Sequence, residues 1–217
     1  MIGCCIFDLD GTLLNTLKTI TYYVNKTLVS FGVEPISEDD CRRFIGNGAK
    51  RLIGSALMSR GVCDEEFTLR VLDAYNCAYN ENTSYLTAEY KGVTEMLQEL
   101  SARGIKLGVL SNKPDKTTCF AVSEFFPEIF DAVHGGRDGI KLKPYPDSLL
   151  AMIGEMGFTP DEVAYIGDTC VDIQTAKAAN VALAVGVSWG FRDRADLVGA
   201  DMIIDSAKDL LRIIENV

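Results

Sequence analysis

A chain of 217 residues is longer than a typical single domain and short for two full ones, so one core domain with a sizeable insertion is expected. Apolar residues at 47% and charged residues at 24% place it among ordinary globular proteins and outside the disordered class. With 21 Lys and Arg against 31 Asp and Glu, the formal charge of -10 argues against a nucleic-acid binder and makes any clustered lysine or bound metal informative about a small anionic ligand.

Met1 to Phe7 is an almost wholly apolar run that stops at Asp8-Leu9-Asp10-Gly11, the pattern of a strand buried on both faces and ended by a turn. The run stops short of signal-peptide or membrane-spanning length and no cationic segment precedes it. No membrane association is expected, and the cytoplasm is the expected compartment. From about Asn15 to Tyr85 there is no strand pattern. The spacing predicts helices over 16–31, 37–45, 48–59 and 64–80, separated by Gly32, Gly46, Gly48 and Gly61, with Ser37 and Asp40 forming a capping box.

Beyond the helical insert, strand and helix alternate. Strands are predicted at 105–110, 131–134, 163–166, 182–187 and 202–204, and helices at 92–103, 146–156, 171–179 and 206–214. Gly104 and Asn180 stand where left-handed helix caps belong. The expected fold is α/β: a doubly wound, Rossmann-like parallel sheet formed by residues 1–15 and 86–217, with residues 16–85 inserted as a helical cap domain after the first strand. Seven cysteines without a C-x-x-C pair suggest neither a zinc site nor a disulfide framework, and they are expected to be reduced and mostly buried.

The chemically interesting polar residues all follow predicted strands: Asp8 and Asp10, then Ser111, then Lys143, then Asp168 and Asp172. Parallel strands end side by side, so these residues should converge on one cleft. Bare carboxylates at such range repel by about 4 kcal/mol per pair at an effective dielectric near 20, so the cluster needs a cation. An all-oxygen donor set without Cys or His suits Mg²⁺, and the single His134 cannot build a zinc site or a triad.

Asp8-Leu9-Asp10-Gly11-Thr12, Ser111-Asn112-Lys113, Lys143-Pro144 and Gly167-Asp168-Thr169-Cys170-Val171-Asp172 resemble, in order, the four motifs of the haloacid dehalogenase superfamily. The resemblance implies that Asp8 is the nucleophile and a metal ligand, and that Asp10 is the acid/base and offers its backbone carbonyl to the metal. It also implies that Ser111 and the Asn112 amide hold the phosphoryl group, Lys143 offsets its charge, Asp168 ligates Mg²⁺, and Asp172 orders the metal shell. Gly11 lets the chain turn sharply beside the phosphate. Lys143-Pro144, at the motif position, is expected to be cis, a state of about 5 to 6% of X-Pro bonds.

Taken singly, D-x-D-G-T is also a solvated turn, Lys-Pro a surface dipeptide, and G-D-x-x-x-D an acidic helix start. All four in order and in strand context leave little room for chance. Haloacid dehalogenases and phosphonoacetaldehyde hydrolases lack the second aspartate, so Asp10 favours phosphate ester chemistry. β-Phosphoglucomutases share all four motifs, pyrophosphatases and nucleotide phosphatases of the superfamily carry similar caps, and a silent binding protein is disfavoured because no motif position is lost.

Phe44 to Leu52, and Gly135-Gly136 through Asp147, resemble the phosphoglycolate phosphatase branch. This implies a small phosphorylated metabolite as partner. The sequence does not fix the oligomeric state, and a monomer or weak homodimer is expected. Gly46 to Gly48 precede a helix whose amides suit an anion, which makes Lys50 and Arg51 candidate substrate contacts, although both are equally natural as solvated helix residues. Hinges are expected near 14–16 and 85–91.

Overall fold

The computed structural model describes residues 1–215. In chain order its elements are β1 (Cys4–Phe7), β2 (Leu14–Asn15), α1 (Leu17–Ser30), α2 (Glu38–Phe44), α3 (Ala49–Met58), α4 (Glu65–Glu81), β3 (Ala88–Glu89) and α5 (Val93–Ala102). Then follow β4 (Lys106–Pro114), α6 (Asp115–Phe125), β5 (Ala132–Gly136), α7 (Asp147–Glu155), β6 (Val163–Gly167), α8 (Cys170–Ala178), β7 (Leu183–Val187), β8 (Met202–Ile204) and α9 (Ala207–Ile214).

Six strands form one parallel sheet in the order β5-β4-β1-β6-β7-β8. β1 is buried throughout because its alternate side chains enter two different apolar layers. Cys5 and Phe7 join Leu97, Val122 and Leu210 from α5, α6 and α9 on one face. Cys4 and Ile6 join Leu149, Met152 and Ala176 from α7 and α8 on the other. The chain runs from β1 outward to β4 and β5, then crosses to β6 on the opposite flank. The crevice above β1 is therefore the point where strand order reverses, where such sheets bind ligands.

Helices α1 to α4 pack on a separate apolar cluster that includes Ile20, Val24, Leu28, Ile53, Leu57 and Val71. The Ser37–Asp40 capping box starts α2 as expected, and Gly104 and Asn180 adopt φ +80° and +55°. Two features were not legible in the sequence: α6, and an antiparallel pairing of β2 with β3 that joins the two crossings into the helical segment. The cysteines depart from expectation. All seven are free, but only Cys4, Cys5 and Cys41 are buried, while Cys63, Cys77, Cys119 and Cys170 are exposed. The exposed four lie in or beside helices, where one face always meets water. Among the described residues, no helix is long and apolar enough to cross a membrane.

Candidate active site

Phe7 of β1 lies opposite Val109 of β4 and Ile166 of β6. This register brings the ends of β1 and β6 to one edge, where Asp8 and Asp168 leave the sheet; Ser111 lies within β4, just past Leu110, where its pairing with β5 shifts register. Asp8, Ser111, Asn112, Lys143, Asp168 and Asp172 are all buried.

The Lys143 ammonium is the hub. It donates to Oδ1 of Asp8 and Oδ1 of Asp172, each at 2.7 Å, and to the Leu110 carbonyl at 3.1 Å, with the Tyr165 hydroxyl 3.0 Å away. Burial works against its charge, but Asp172 and Asp8 outweigh it and hold its pKa well above the ordinary lysine value. The Lys143 backbone is fixed by Asn112, whose side-chain oxygen accepts from the Lys143 amide at 2.8 Å. The Asn112 side-chain nitrogen donates to the Lys143 carbonyl at 3.0 Å and to the Gly46 carbonyl at 2.9 Å. Lys143-Pro144 is cis, as expected.

Asp168 sits in a cage that only small neighbours permit. A Cβ on Gly11 or on Gly190 would lie 2.3 or 2.2 Å from its side chain, and Gly11 takes φ +94°. Its Oδ2 accepts from the Phe191 amide at 2.8 Å and its Oδ1 from Thr12 Oγ1 at 3.3 Å. Asp172 is the third residue of α8 and closes a capping box with Thr169 through Oδ2, which leaves Oδ1 to Lys143.

One carboxylate oxygen each from Asp8, Asp168 and Asp172 lies within 4.8 Å of the other two, and all three residues are buried. Burial raises Asp8 to about 7, against the pull of Lys143 and with Asp172 adding to it. Burial, then Asp172 and Asp8, raise Asp168 well above the carboxylate range. One ammonium does not satisfy three carboxylates in so little space. The arrangement fits a hard divalent cation, and the backbone carbonyl of Asp10 accepts no hydrogen bond among the described residues.

The side chain of Asp10 stands outside this cluster. Thr16 donates to its Oδ1 at 2.7 Å, and Lys113 donates to Oδ1 and Oδ2 at 2.9 and 3.1 Å. Two carboxylates two residues apart are thus held by two different lysines. Lys113 was visible only as part of the Ser111-Asn112-Lys113 motif, because its partners Asp10 and Tyr79 lie far away in sequence. Thr12, visible only as part of the first motif, donates to Asp168; Thr16, Tyr165 and the Phe191 amide escaped sequence reading, and of these the Tyr165 hydroxyl bridges Lys143, the Leu110 carbonyl and Asp172.

Asp8, Asp10, Ser111, Asn112, Lys113, Lys143 and Asp172 form the floor of a pocket roofed by α1, α3 and α4. Ala49 and Leu52 of α3 face into it. Lys50 and Arg51 do not line it: both are exposed, and the Lys50 ammonium lies 3.4 Å from Glu65. The Gly11 amide is engaged by the Leu14 carbonyl at 2.8 Å, so Gly11 serves the turn around Asp168.

The family pattern described as haloacid dehalogenase-like hydrolase matches residues 5–185. A phosphoglycolate phosphatase of Haemophilus influenzae is 32% identical over 216 residues, with 96% of each chain covered. The crystal structure of a predicted phosphoglycolate phosphatase from Haemophilus somnus 129pt superposes with a TM-score of 0.90 at 28% identity, covering 98% of both chains. A β-phosphoglucomutase from Clostridium difficile shares the fold at a TM-score of 0.82 and 22% identity, covering 100% of this chain and 96% of that one. The chain belongs to the haloacid dehalogenase-like hydrolases. Within that family of enzymes it is of the phosphoglycolate phosphatase-like type.

Proposed function

We propose that the chain is a Mg²⁺-dependent phosphatase that hydrolyses a small, phosphoglycolate-like phosphate monoester through a phosphorylated Asp8. The observation that carries this reading is the separation of the two carboxylates. Asp8 is aimed at the Lys143 ammonium and the acidic cluster, whereas Asp10 is held apart by Lys113 and Thr16. Two carboxylates in different environments can take different roles, one nucleophilic and one as acid and base.

In the first half-reaction an Asp8 oxygen bonds to phosphorus, the bond to the leaving oxygen breaks, and Asp10 gives that oxygen its proton. In the second, Asp10 takes a proton from water, the resulting oxygen bonds to phosphorus, and the Asp8 carboxylate is released with inorganic phosphate. Splitting the displacement replaces one hard step with two easier ones. Lys143 faces the transferring group with a fixed positive charge, and the buried Ser111 hydroxyl lies on the same pocket wall. Asp8, Asp168, Asp172 and the Asp10 carbonyl would hold Mg²⁺, whose charge offsets that of the phosphoryl oxygens.

Residues 16–85 serve as a cap over the cleft in this reading, hinged where β2 pairs with β3. The pocket holds about 60 Å³ for the centres of water-sized molecules, which suits a compact ester. A phosphomutase is the weaker reading, since likeness to the mutase is one of fold. The test is phosphate release from a panel of phosphorylated metabolites with Mg²⁺, with and without a sugar bisphosphate. Turnover of small monoesters without the bisphosphate supports the phosphatase, and a strict need for it would support the mutase.

A further inference from the structure

Lys143 supplies the buried ammonium beside Asp8, yet it stands on a connection, residues 137–146, that contains no helix or strand. Connections move more than the elements they join, so the aim of this ammonium depends on what tethers its backbone. The tether is the side chain of Asn112. Its Oδ1 accepts from the Lys143 amide and its Nδ2 donates to the Lys143 carbonyl, so one side-chain amide holds both polar backbone groups of one residue, as a paired strand would.

Nδ2 carries a second hydrogen, and this one goes to the Gly46 carbonyl, across in the helical segment. Gly46, Asn47 and Gly48 form the loop between α2 and α3. The same loop presses on the residue before Lys143. A Cβ on Gly48 would lie 3.1 Å from the Leu142 side chain and one on Gly136 2.9 Å from it, so Leu142 is wedged between the loop and the end of β5. Asn112 is buried, and its amide plane is fixed by one acceptor on each side of the cleft. Moving the loop away removes one of the two and frees that plane to rotate off Lys143.

We propose that the Asn112 side chain is a positioning residue that ties the seating of the 46–48 loop to the aim of the Lys143 ammonium, so that Lys143 faces the transferring group only with that loop in place. This rests on the phosphatase reading for where the phosphoryl group sits, and it is separate from any role of the Asn112 backbone amide. Gly46 adopts φ +113° and a Cβ there would meet nothing within 4 Å, so Gly46→Ala strains the loop without a clash. Wild type, Gly46→Ala, Asn112→Ala and the double variant form a cycle with two readouts: hydrogen exchange of the Lys143 amide by NMR, and Kd for inorganic phosphate with Mg²⁺ by calorimetry.

Gly46→Ala should quicken exchange at Lys143 and weaken phosphate about fivefold, and Asn112→Ala should weaken it about tenfold. With Asn112 already replaced, Gly46→Ala should add no more than about twofold, because the link is gone. Equal effects of Gly46→Ala with and without Asn112, or wild-type exchange at Lys143 in Gly46→Ala, overturn the coupling. Asn112→Ala alone is a second arm free of backbone strain: exchange should quicken at Lys143 and at 46–49 together, and quickening at Lys143 alone overturns it as well. Exchange needs no phosphate, so a failure of the phosphatase reading would show in wild-type phosphate release and leave this arm to decide.

Discussion

The backbone amide of Phe191 donates to Oδ2 of Asp168 at 2.8 Å, which ties one member of the acidic cluster to a loop that also grips the helical segment. The next residue, Arg192, donates to the carbonyls of Arg42, Arg43 and Ile45 at the end of α2, and the Phe191 side chain is buried in the α1–α4 cluster. Carbonyls at a helix end lack intrahelical partners, and a planar guanidinium with five donors can serve several together.

Arg192→Ala should therefore loosen the position of Asp168 as well as the docking of α2. The expected result is a fall in kcat/KM of about tenfold, the equivalent of one net hydrogen bond to the charged group, with little change in far-UV circular dichroism. Arg192→Lys should restore little, since one ammonium cannot reach three carbonyls in the same geometry. Wild-type kinetics in Arg192→Ala would show that the loop does not report to the site.

Activity should require Mg²⁺ and be lost in EDTA, because Asp8, Asp168 and Asp172 crowd their oxygens within 4.8 Å with only the Lys143 ammonium among them. Calcium should inhibit. Its larger and looser shell favours binding Asp8 through both oxygens, which takes the nucleophile off its line of attack. Steady-state rates across a metal series check this, and full activity in EDTA would contradict it.

Asp131 offers a prediction about folding. Burial works to raise its pKa, but Lys106 and the Leu107 amide, at 2.9 Å, more than offset this and hold it below its ordinary 3.8. A depressed folded-state pKa means that the unfolded chain binds the proton more tightly, so the stabilisation is fully present above about pH 4 and is lost as pH falls through the folded value. Asp131→Asn should cost about 1 kcal/mol in urea unfolding at pH 7, and its midpoint should converge with the wild type as the pH drops below 3.8. A gap of the same size at both ends of the range would point to shape rather than charge.

Much of the fold was legible because its strands are apolar on both faces and stop at polar turns, a pattern that locates the strands and the points where Asp8 and Asp168 emerge, although β4 continues past the expected end at Leu110 to Pro114 and carries Ser111 within it. Helix α6 was not, since it starts directly after Pro114 and carries Thr117 and Thr118 on its buried side, and threonine has poor helix propensity. The β2–β3 pairing has two residues a side, too few for any periodicity. Lys50 and Arg51 drew attention as charges beside a glycine loop. Helical geometry decides against them as pocket residues, because Ala49 and Leu52, three apart, occupy the inner face and the two between them point elsewhere. Lys113 and Arg192 owe their importance to partners brought together only by the tertiary fold, which no local pattern encodes.

Phosphorylation of Asp8 and its hydrolysis by Asp10 are both addressed by one burst experiment. Asp10→Asn can neither protonate a leaving alkoxide nor activate water. An aryl phosphate with an acidic phenol needs no protonation to leave, so Asp8 should still attack it, after which hydrolysis lags. Mixing Asp10→Asn with such an ester and Mg²⁺ should release a burst of phenol approaching one equivalent per enzyme, followed by slow turnover. The trapped adduct should be labile to hydroxylamine, and the Asp8→Asn/Asp10→Asn double variant should give no burst. Steady turnover of the aryl ester by Asp10→Asn at the wild-type rate with no burst, or a burst that survives the loss of Asp8, would contradict the account.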